Sequence, residues 1–338
     1  MHRRGRGDRD GGRAGLTGKL VFESSRVAVA DIPREAASAA HGTAPAALRR
    51  PPLPVVVGCP RSGTSLLAVM LDSHPEVAVP PETTFLGPVA WLYGSSEVVR
   101  RGFFDVVTAD RITVSNWSDF GLDKDEFWKR LEAIEPFTVS AGLRAFYALY
   151  AERERKPRYG EKTPGYVFVM PAIAALLPEA HFIHVIRDPG DTALSWRKTW
   201  FAPGQDFRIL GAEWRKHVEA GRRASTLVRR YLEVRFEDLV LHAERELRRV
   251  CEFVSLSWDP AMLDYGERGA ARLDRLQGRQ HARGPLIDRD QRTTIHANLT
   301  RAPDADRLDV WRREMTAAER TELEDAAGPL VRELGYAA

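Results

Sequence analysis

Gly58 and Gly63 stand five residues apart, with a β-branched run before them and the apolar stretch Leu66-Leu67-Ala68-Val69-Met70-Leu71 after them. That order reads as a strand, a tight turn and a helix. The N–H groups of such a turn, with those of the first helical turn, form a positive concavity that accepts a cluster of anionic oxygens. The glycine spacing matches G-x-x-x-x-G-K-[ST], but Thr64 fills the lysine slot. A loop without that lysine handles β- and γ-phosphates poorly, whereas Arg61 inside the turn offers a fork to a terminal phosphate or sulfonate. ATP with magnesium is therefore not the expected ligand. The alternative is a strand, turn and helix that merely need glycine at a tight corner.

A second anion site is expected at Val185-Ile186-Arg187-Asp188-Pro189. Arg187 would sit at a strand tip, and Ser195, eight residues on and two turns into the next helix, can present a hydroxyl to the same phosphate. The alternative makes Arg187 and Asp188 a surface pair. Glu82 follows Pro80-Pro81, which force an extended exit from a short strand. It therefore falls at a strand's carboxyl end, where open α/β sheets bind ligands.

These residues need a frame, and the chain supplies one. Strands are expected over Glu76–Val79, His181–Ile186 and Tyr231–Phe236. Helices are expected over Asp123–Glu135, Ser140–Arg155, Thr192–Thr199, from about Asp206 to Arg230, and over Ala243–Val254. Pro178 ends one further helix before the strand at 181. Repeated strand–helix units imply an α/β fold with a central parallel sheet flanked by helices in three layers, of the P-loop type. Residues 87–155 read as a helical and loop insertion on the acceptor side. The aromatics of this region, Trp91, Tyr93, Phe103, Phe104, Trp117, Phe120, Trp128 and Tyr147, read as packing or as the lining of an acceptor groove.

The 338 residues are 43% hydrophobic, enough for one sizeable domain. Ten of the 50 basic and five of the 47 acidic side chains lie in residues 1–50, so the formal charge of +3 belongs to this segment. Residues 1–50 read as a mostly disordered basic extension, with one stray strand over Leu20–Val29 and no nucleic-acid role. Residues 51–338 read as the folded domain. No apolar stretch reaches membrane-spanning length and no secretory segment is expected, which points to a cytoplasmic protein. Cys59 and Cys251 are too few for a disulfide framework or a zinc site, and no metal is expected.

Pro60-Arg61-Ser62-Gly63-Thr64-Ser65 resembles the 5′-phosphosulfate loop of the sulfotransferases that use 3′-phosphoadenosine 5′-phosphosulfate (PAPS). The run from Gly58 to Glu82 is most similar to protein-tyrosine sulfotransferases and their bacterial relatives. The resemblance covers roughly residues 53–338. It implies that Arg61, Ser62, Gly63, Thr64 and Ser65 hold the 5′ end of the donor, and Arg187 and Ser195 its 3′-phosphate. It further implies that Lys162, in Gly160-Glu161-Lys162-Thr163-Pro164, reaches the transferring sulfonate, and that Phe236, in Arg235-Phe236-Glu237-Asp238-Leu239, stacks near the adenine. Arg301, ahead of Trp311, corresponds to a basic phosphate ligand, with Arg283, Arg289 and Arg292 as competitors. Glu82 aligns with the base of the tyrosyl branch, and His74 is its rival. That branch carries arginine where this chain has Thr84, so the acceptor is a small-molecule, sugar or lipid hydroxyl, or a peptide tyrosine. Two other readings compete: a kinase-like phosphotransferase and a non-catalytic nucleotide-binding protein.

Overall fold

In the computed structural model, which describes residues 50–111, 114–280 and 286–336, Leu53–Gly58 (β1) is buried at all six positions. An apolar run without alternation is what a strand covered on both faces requires. The strands that follow are Val77–Ala78 (β2), Arg158–Tyr159 (β3), Glu161–Lys162 (β4), Ala180–Ile186 (β5) and Tyr231–Arg235 (β6). The sheet has the order β4-β1-β5-β6 and every pair is parallel. Val56 lies between Lys162 and Ile183, and Ile183 lies beside Leu232. β2 pairs with β3, and the Gly160 N–H donates to Ala78 O at 2.8 Å. The chain thus turns from β2 to β1 within five residues.

Successive residues of β1 enter different cores. Leu53, Val55 and Val57 pack with the aromatics of 85–150, whereas Val56 packs with Leu67, Val69 and Leu71 of Thr64–Ser73 (α1). This period of two places helices on both faces. One face carries Glu97–Val107 (α2), Lys124–Glu132 (α3) and Val139–Arg153 (α4). Phe85, Phe103, Trp117, Phe120, Phe127 and Phe146 form its interior, in mostly edge-on contacts. Asp123 and Thr138 cap α3 and α4 by accepting from Glu126 N and Ala141 N.

Pro189–Arg197 (α5) starts with its proline at the first helical position, and Asp188 is the N-cap, accepting from Gly190 N at 2.8 Å and Asp191 N at 3.0 Å. Asp188 is therefore a buried cap rather than the surface partner of Arg187. Phe207–Ser225 (α6) stops five residues short of the expected Arg230, before the turn into β6. Phe236–Leu241 (α7) and Ala243–Phe253 (α8) complete the sheet's cover, followed by Gly266–Asp274 (α9), Arg289–Thr294 (α10) and Ala317–Ala327 (α11). Among the described residues no helix is long and apolar enough to cross a membrane. The extension and strand expected within residues 1–49, and Arg283, lie outside the described residues.

Candidate active site

Because the strands are parallel, Gly58, Lys162, Ile186 and Arg235 end at one edge of the sheet, and the anion loop emerges there. The loop turns through left-handed backbone at Arg61 (φ 71°) and Gly63 (φ 99°). Gly63 is the N-cap of α1 and brings no side-chain cap, so the first helical N–H groups stay available. Two requirements fix glycine at 63: the positive φ, and the Phe236 ring, whose Cδ2 would lie 2.2 Å from an added Cβ.

The two anion motifs converge. Arg61 Nε donates to Ser195 Oγ at 3.1 Å across 134 residues. Arg187 donates to Arg61 O at 3.4 Å and to Arg307 O at 3.1 Å, pairs with Asp191 at 3.5 Å, and sets its guanidinium 4.4 Å from the centre of the Phe236 ring. Burial, then the nearby guanidinium groups of Arg187 and Arg307, pull Arg61 down to about 10. Ser62 Oγ and Arg187 Nε are buried without a hydrogen-bond partner among the described residues. Such concentrated positive charge, with Asp191 beside Arg187 and unused donors, suits a polyanion.

Beside this cluster, Lys162 Nζ lies 2.6 Å from Glu82 Oε1 and 3.2 Å from Ser65 Oγ. The lysine missing from the loop is thus supplied by β4. Burial holds the Lys162 ammonium below its ordinary range, with Glu82 acting in the opposite sense. Behind it Glu161 accepts from Tyr147 OH at 2.6 Å and Thr163 Oγ1 at 2.9 Å, and burial pushes its carboxyl up to about 7. Three contacts fix the Glu82 segment: Asn116 Nδ2 donates to Glu82 O at 2.9 Å, Thr83 Oγ1 meets Tyr166 OH at 2.7 Å, and Arg272 Nη2 donates to Val79 O and Pro80 O at 3.0 and 2.6 Å.

These groups surround one cavity of about 460 Å³, within the range of small-molecule sites, and Ser62 is not among the residues that line it. Arg61, Gly63, Thr64, Ser65, Glu82, Lys162, Phe236 and Arg301 line it directly, and Arg187 and Ser195 stand behind Arg61. Arg301 reaches Asn298 Oδ1 at 2.8 Å. Arg307, which the sequence reading passed over, lies nearer the cluster, beside Arg187 and Arg61. Its only sequence signal is a basic side chain in the stretch between Arg301 and Trp311.

Other expectations are corrected. Arg289 pairs with Asp274 at 3.4 Å, away from the cavity, while Arg292 lines it but binds Asp119 at 2.6 Å. His74 is 1% exposed, with both ring nitrogens committed to backbone groups of Ser257 and Glu76. The aromatics lining the cavity are Trp200, Phe201, Phe236 and Tyr265, and none of the eight named from residues 87–155 is among them. The far wall comes from 272–307, and residues 87–155 contribute Asn116 and Asp119. His296 also lines it, held well below its ordinary range by burial and by Lys162 and Arg61. Cys59 is fully buried, and burial pushes its thiol up.

Comparison with known proteins agrees with this architecture. The chain is 27% identical over 317 residues to the nodulation protein NoeE of Sinorhizobium fredii, covering 84% of this chain and 67% of that one. It is 26% identical over 227 residues to protein-tyrosine sulfotransferase A of Caenorhabditis elegans, covering 64% and 53% respectively. It thus spans about half to two-thirds of the length of these relatives. Among solved structures, the sulfotransferase domain from the curacin biosynthetic pathway shares the fold with a TM-score of 0.56 at 20% identity, covering 86% of this chain and 99% of that domain. The sulfotransferase domain of the Synechococcus PCC 7002 olefin synthase gives 0.54 at 20%, covering 88% and 98%. Residues 52–260 match the Sulfotransferase family, and with that match over more than half its length the chain belongs to this family of sulfonyl-transferring enzymes.

Proposed function

We propose that the protein transfers the sulfonate of PAPS to an acceptor hydroxyl by in-line displacement. The observation that carries this reading is the meeting of two pairs in one cavity: Arg61 with Ser195, and Lys162 with Glu82. The first pair joins two anion motifs into a clamp that suits a nucleotide with phosphates at both ends. The second places a base beside a cation where the sulfonate would lie.

In the proposed step the acceptor oxygen forms a bond to sulfur while the bond from sulfur to the bridging phosphate oxygen breaks. The hydroxyl proton passes to Glu82, and the electron pair stays on the departing phosphate oxygen. Lys162, Arg61 and the loop N–H groups meet the charge that develops there. Base catalysis of this kind contributes roughly 10²–10⁴-fold. Phe236, packed on Gly63 and under Arg187, offers its remaining face to the nucleobase.

The test is incubation of the full chain with radiolabelled PAPS and a library of hydroxyl compounds, with calorimetry of 3′-phosphoadenosine 5′-phosphate (PAP) binding. Transfer by the wild type, transfer slowed by about 10²–10⁴-fold in Glu82→Gln, and PAP binding lost in Arg61→Ala and Arg187→Ala are expected. Unchanged PAP affinity in both arginine variants would overturn the nucleotide assignment, and full turnover by Glu82→Gln would overturn the base.

A further inference from the structure

The cavity divides by charge. On the side of the anion loop, the side-chain hydrogen bonds among the described residues give Arg61 the neutral Ser195 hydroxyl and Arg301 the neutral Asn298 amide, and Arg187 shares Asp191 with two backbone N–H groups. On the other side of Glu82 each lining cation of the described residues already faces a carboxylate. Lys162 pairs with Glu82 at 2.6 Å. Arg292 holds Asp119 through both its terminal nitrogens, at 2.6 and 3.2 Å. Arg272 spends Nη2 on two carbonyls, while its buried Nη1 makes no hydrogen bond among the described residues and stands 3.8 Å from Asp72, a carboxylate that Arg268 already holds.

Asp119 is the centre of this arrangement. It is 1% exposed and takes Arg279 Nη2 at 2.7 Å as well as Arg292. Arg279, itself buried, also reaches Asp110 at 2.6 Å. The walls between these pairs are apolar, formed by Leu273, Leu276 and Ile295. An anionic acceptor entering here would meet the Glu82 and Asp119 carboxylates and the donor's own charge. Lys162 and Arg292 would have to be taken from the carboxylates they already hold, and the free Arg272 Nη1 is buried.

We propose that the acceptor is an uncharged hydroxyl compound with an apolar body, and that Asp119 sets this specificity by neutralising Arg292 and Arg279 at the acceptor wall. The inference rests on the reading of the cavity as a PAPS-dependent transfer site. It separates the candidate acceptors: a neutral alcohol or phenol fits, and a tyrosine in an acidic peptide does not.

The experiment uses matched acid and ester acceptors with PAPS and the full chain: 4-hydroxyphenylacetate against its methyl ester, and 3-hydroxydecanoate against its methyl ester. A tyrosine peptide with acidic flanks is compared with one flanked by serine. At least one ester should exceed its acid by tenfold or more in kcat/KM, and the serine-flanked peptide should be no worse than the acidic one. Asp119→Asn frees a guanidinium and should narrow the ester-to-acid ratio at least fivefold while PAP affinity stays within threefold. Arg292→Gln, which removes the cation as well, should leave the ratio near the wild-type value. With PAP bound normally, failure of both esters to exceed their acids, or a preference for the acidic peptide, overturns the proposal. Failure of PAP itself to bind would instead remove the reading of the cavity on which it rests.

Discussion

Replacing Arg61 with methionine should raise the stability of the ligand-free protein while removing its affinity for the donor product. The reason is electrostatic. Arg61 has lost much of its hydration and sits near Arg187 and Arg307, which pull its pKa from the ordinary arginine range to about 10. A base whose folded pKa lies below its unfolded one costs stability at every pH below the folded value, and the cost is relieved only as pH rises from about 10 upward. At neutral pH the full cost is therefore present, roughly 3 kcal/mol at 1.36 kcal/mol per tenfold in proton affinity. Arg61 keeps partial exposure, which screens the charge, so about 1–2 kcal/mol is a fairer figure. Against this stands one hydrogen bond from the guanidinium to the neutral Ser195 hydroxyl, worth about 1 kcal/mol at this partly exposed site. The net expectation is a gain of up to about 1 kcal/mol, read as a higher urea midpoint at unchanged slope. PAP binding should fall by about 10²-fold or more, since each charge-assisted hydrogen bond to phosphate is worth about 1.5–3 kcal/mol. A variant destabilised by 2 kcal/mol with intact PAP affinity would refute the argument, because Arg61 would then be a structural residue held by favourable contacts.

Further outcomes follow from other contacts. Glu82→Gln should keep PAP affinity within a few-fold and lower kcat by about 10²–10⁴, measured as labelled sulfonate transferred per PAPS consumed. Gly63→Ala should cost about 1–2 kcal/mol for its left-handed backbone alone, and the displaced Phe236 should weaken PAP binding as well, as thermal unfolding and calorimetry would show. His184 and His217 are buried and held at about 4 by burial, so the unfolded chain takes up protons between about 6.5 and 4 that the folded chain refuses. Stability should fall on acidification through that window, by about 2 kcal/mol per histidine at pH 5. Glu161 and Asp188, each pushed up to about 7 by burial, act in the opposite sense, so the comparison is of wild type with His217→Gln. The variant's urea midpoint should change less between pH 7.5 and 5, and an identical change in both would count against the assignment.

The parts of this fold legible in the sequence are those written locally. The run Val55-Val56-Val57 before Gly58 needs no partner to be read as a buried strand, and its neighbour His181–Ile186 is bounded by Pro178 and Arg187. α5 starts at Pro189 rather than the expected Thr192, because Asp188-Pro189-Gly190, which reads as a turn, is also an N-cap with proline at the first helical position. α6 ran too far on paper because Thr226 to Arg230 hold nothing that forbids helix, and the turn there is set by β6 docking beside β5. At the site, Arg61, Arg187 and Ser195 were legible because each follows a strand at a fixed distance. Of the cavity's far wall only Arg292 and Arg301 are named from the sequence; Arg272, His296 and Arg307 lie more than 180 residues from Glu82 and reach the cavity through tertiary contacts that no local spacing records.

That division has a physical basis in what each half of the cavity must do. Binding a polyanion asks for N–H groups and guanidinium forks in fixed geometry, and a loop between a strand and a helix makes that geometry from consecutive residues. The Arg61–Ser195 contact needs only two such loops on adjacent strands, β1 and β5, so its residues stay near their glycines and prolines in sequence. Holding an acceptor instead asks for a wall shaped to its substrate, and the wall proposed for that role has its lining residues between Arg272 and Arg307 and is fastened by Asp119. On the proposed mechanism Lys162 and Glu82, not this wall, hold the reacting groups, so a wall attached through buried ion pairs can change its lining without disturbing the loop. Donor chemistry is therefore readable from short motifs in this chain, and acceptor choice is readable only from which charges the wall leaves without partners.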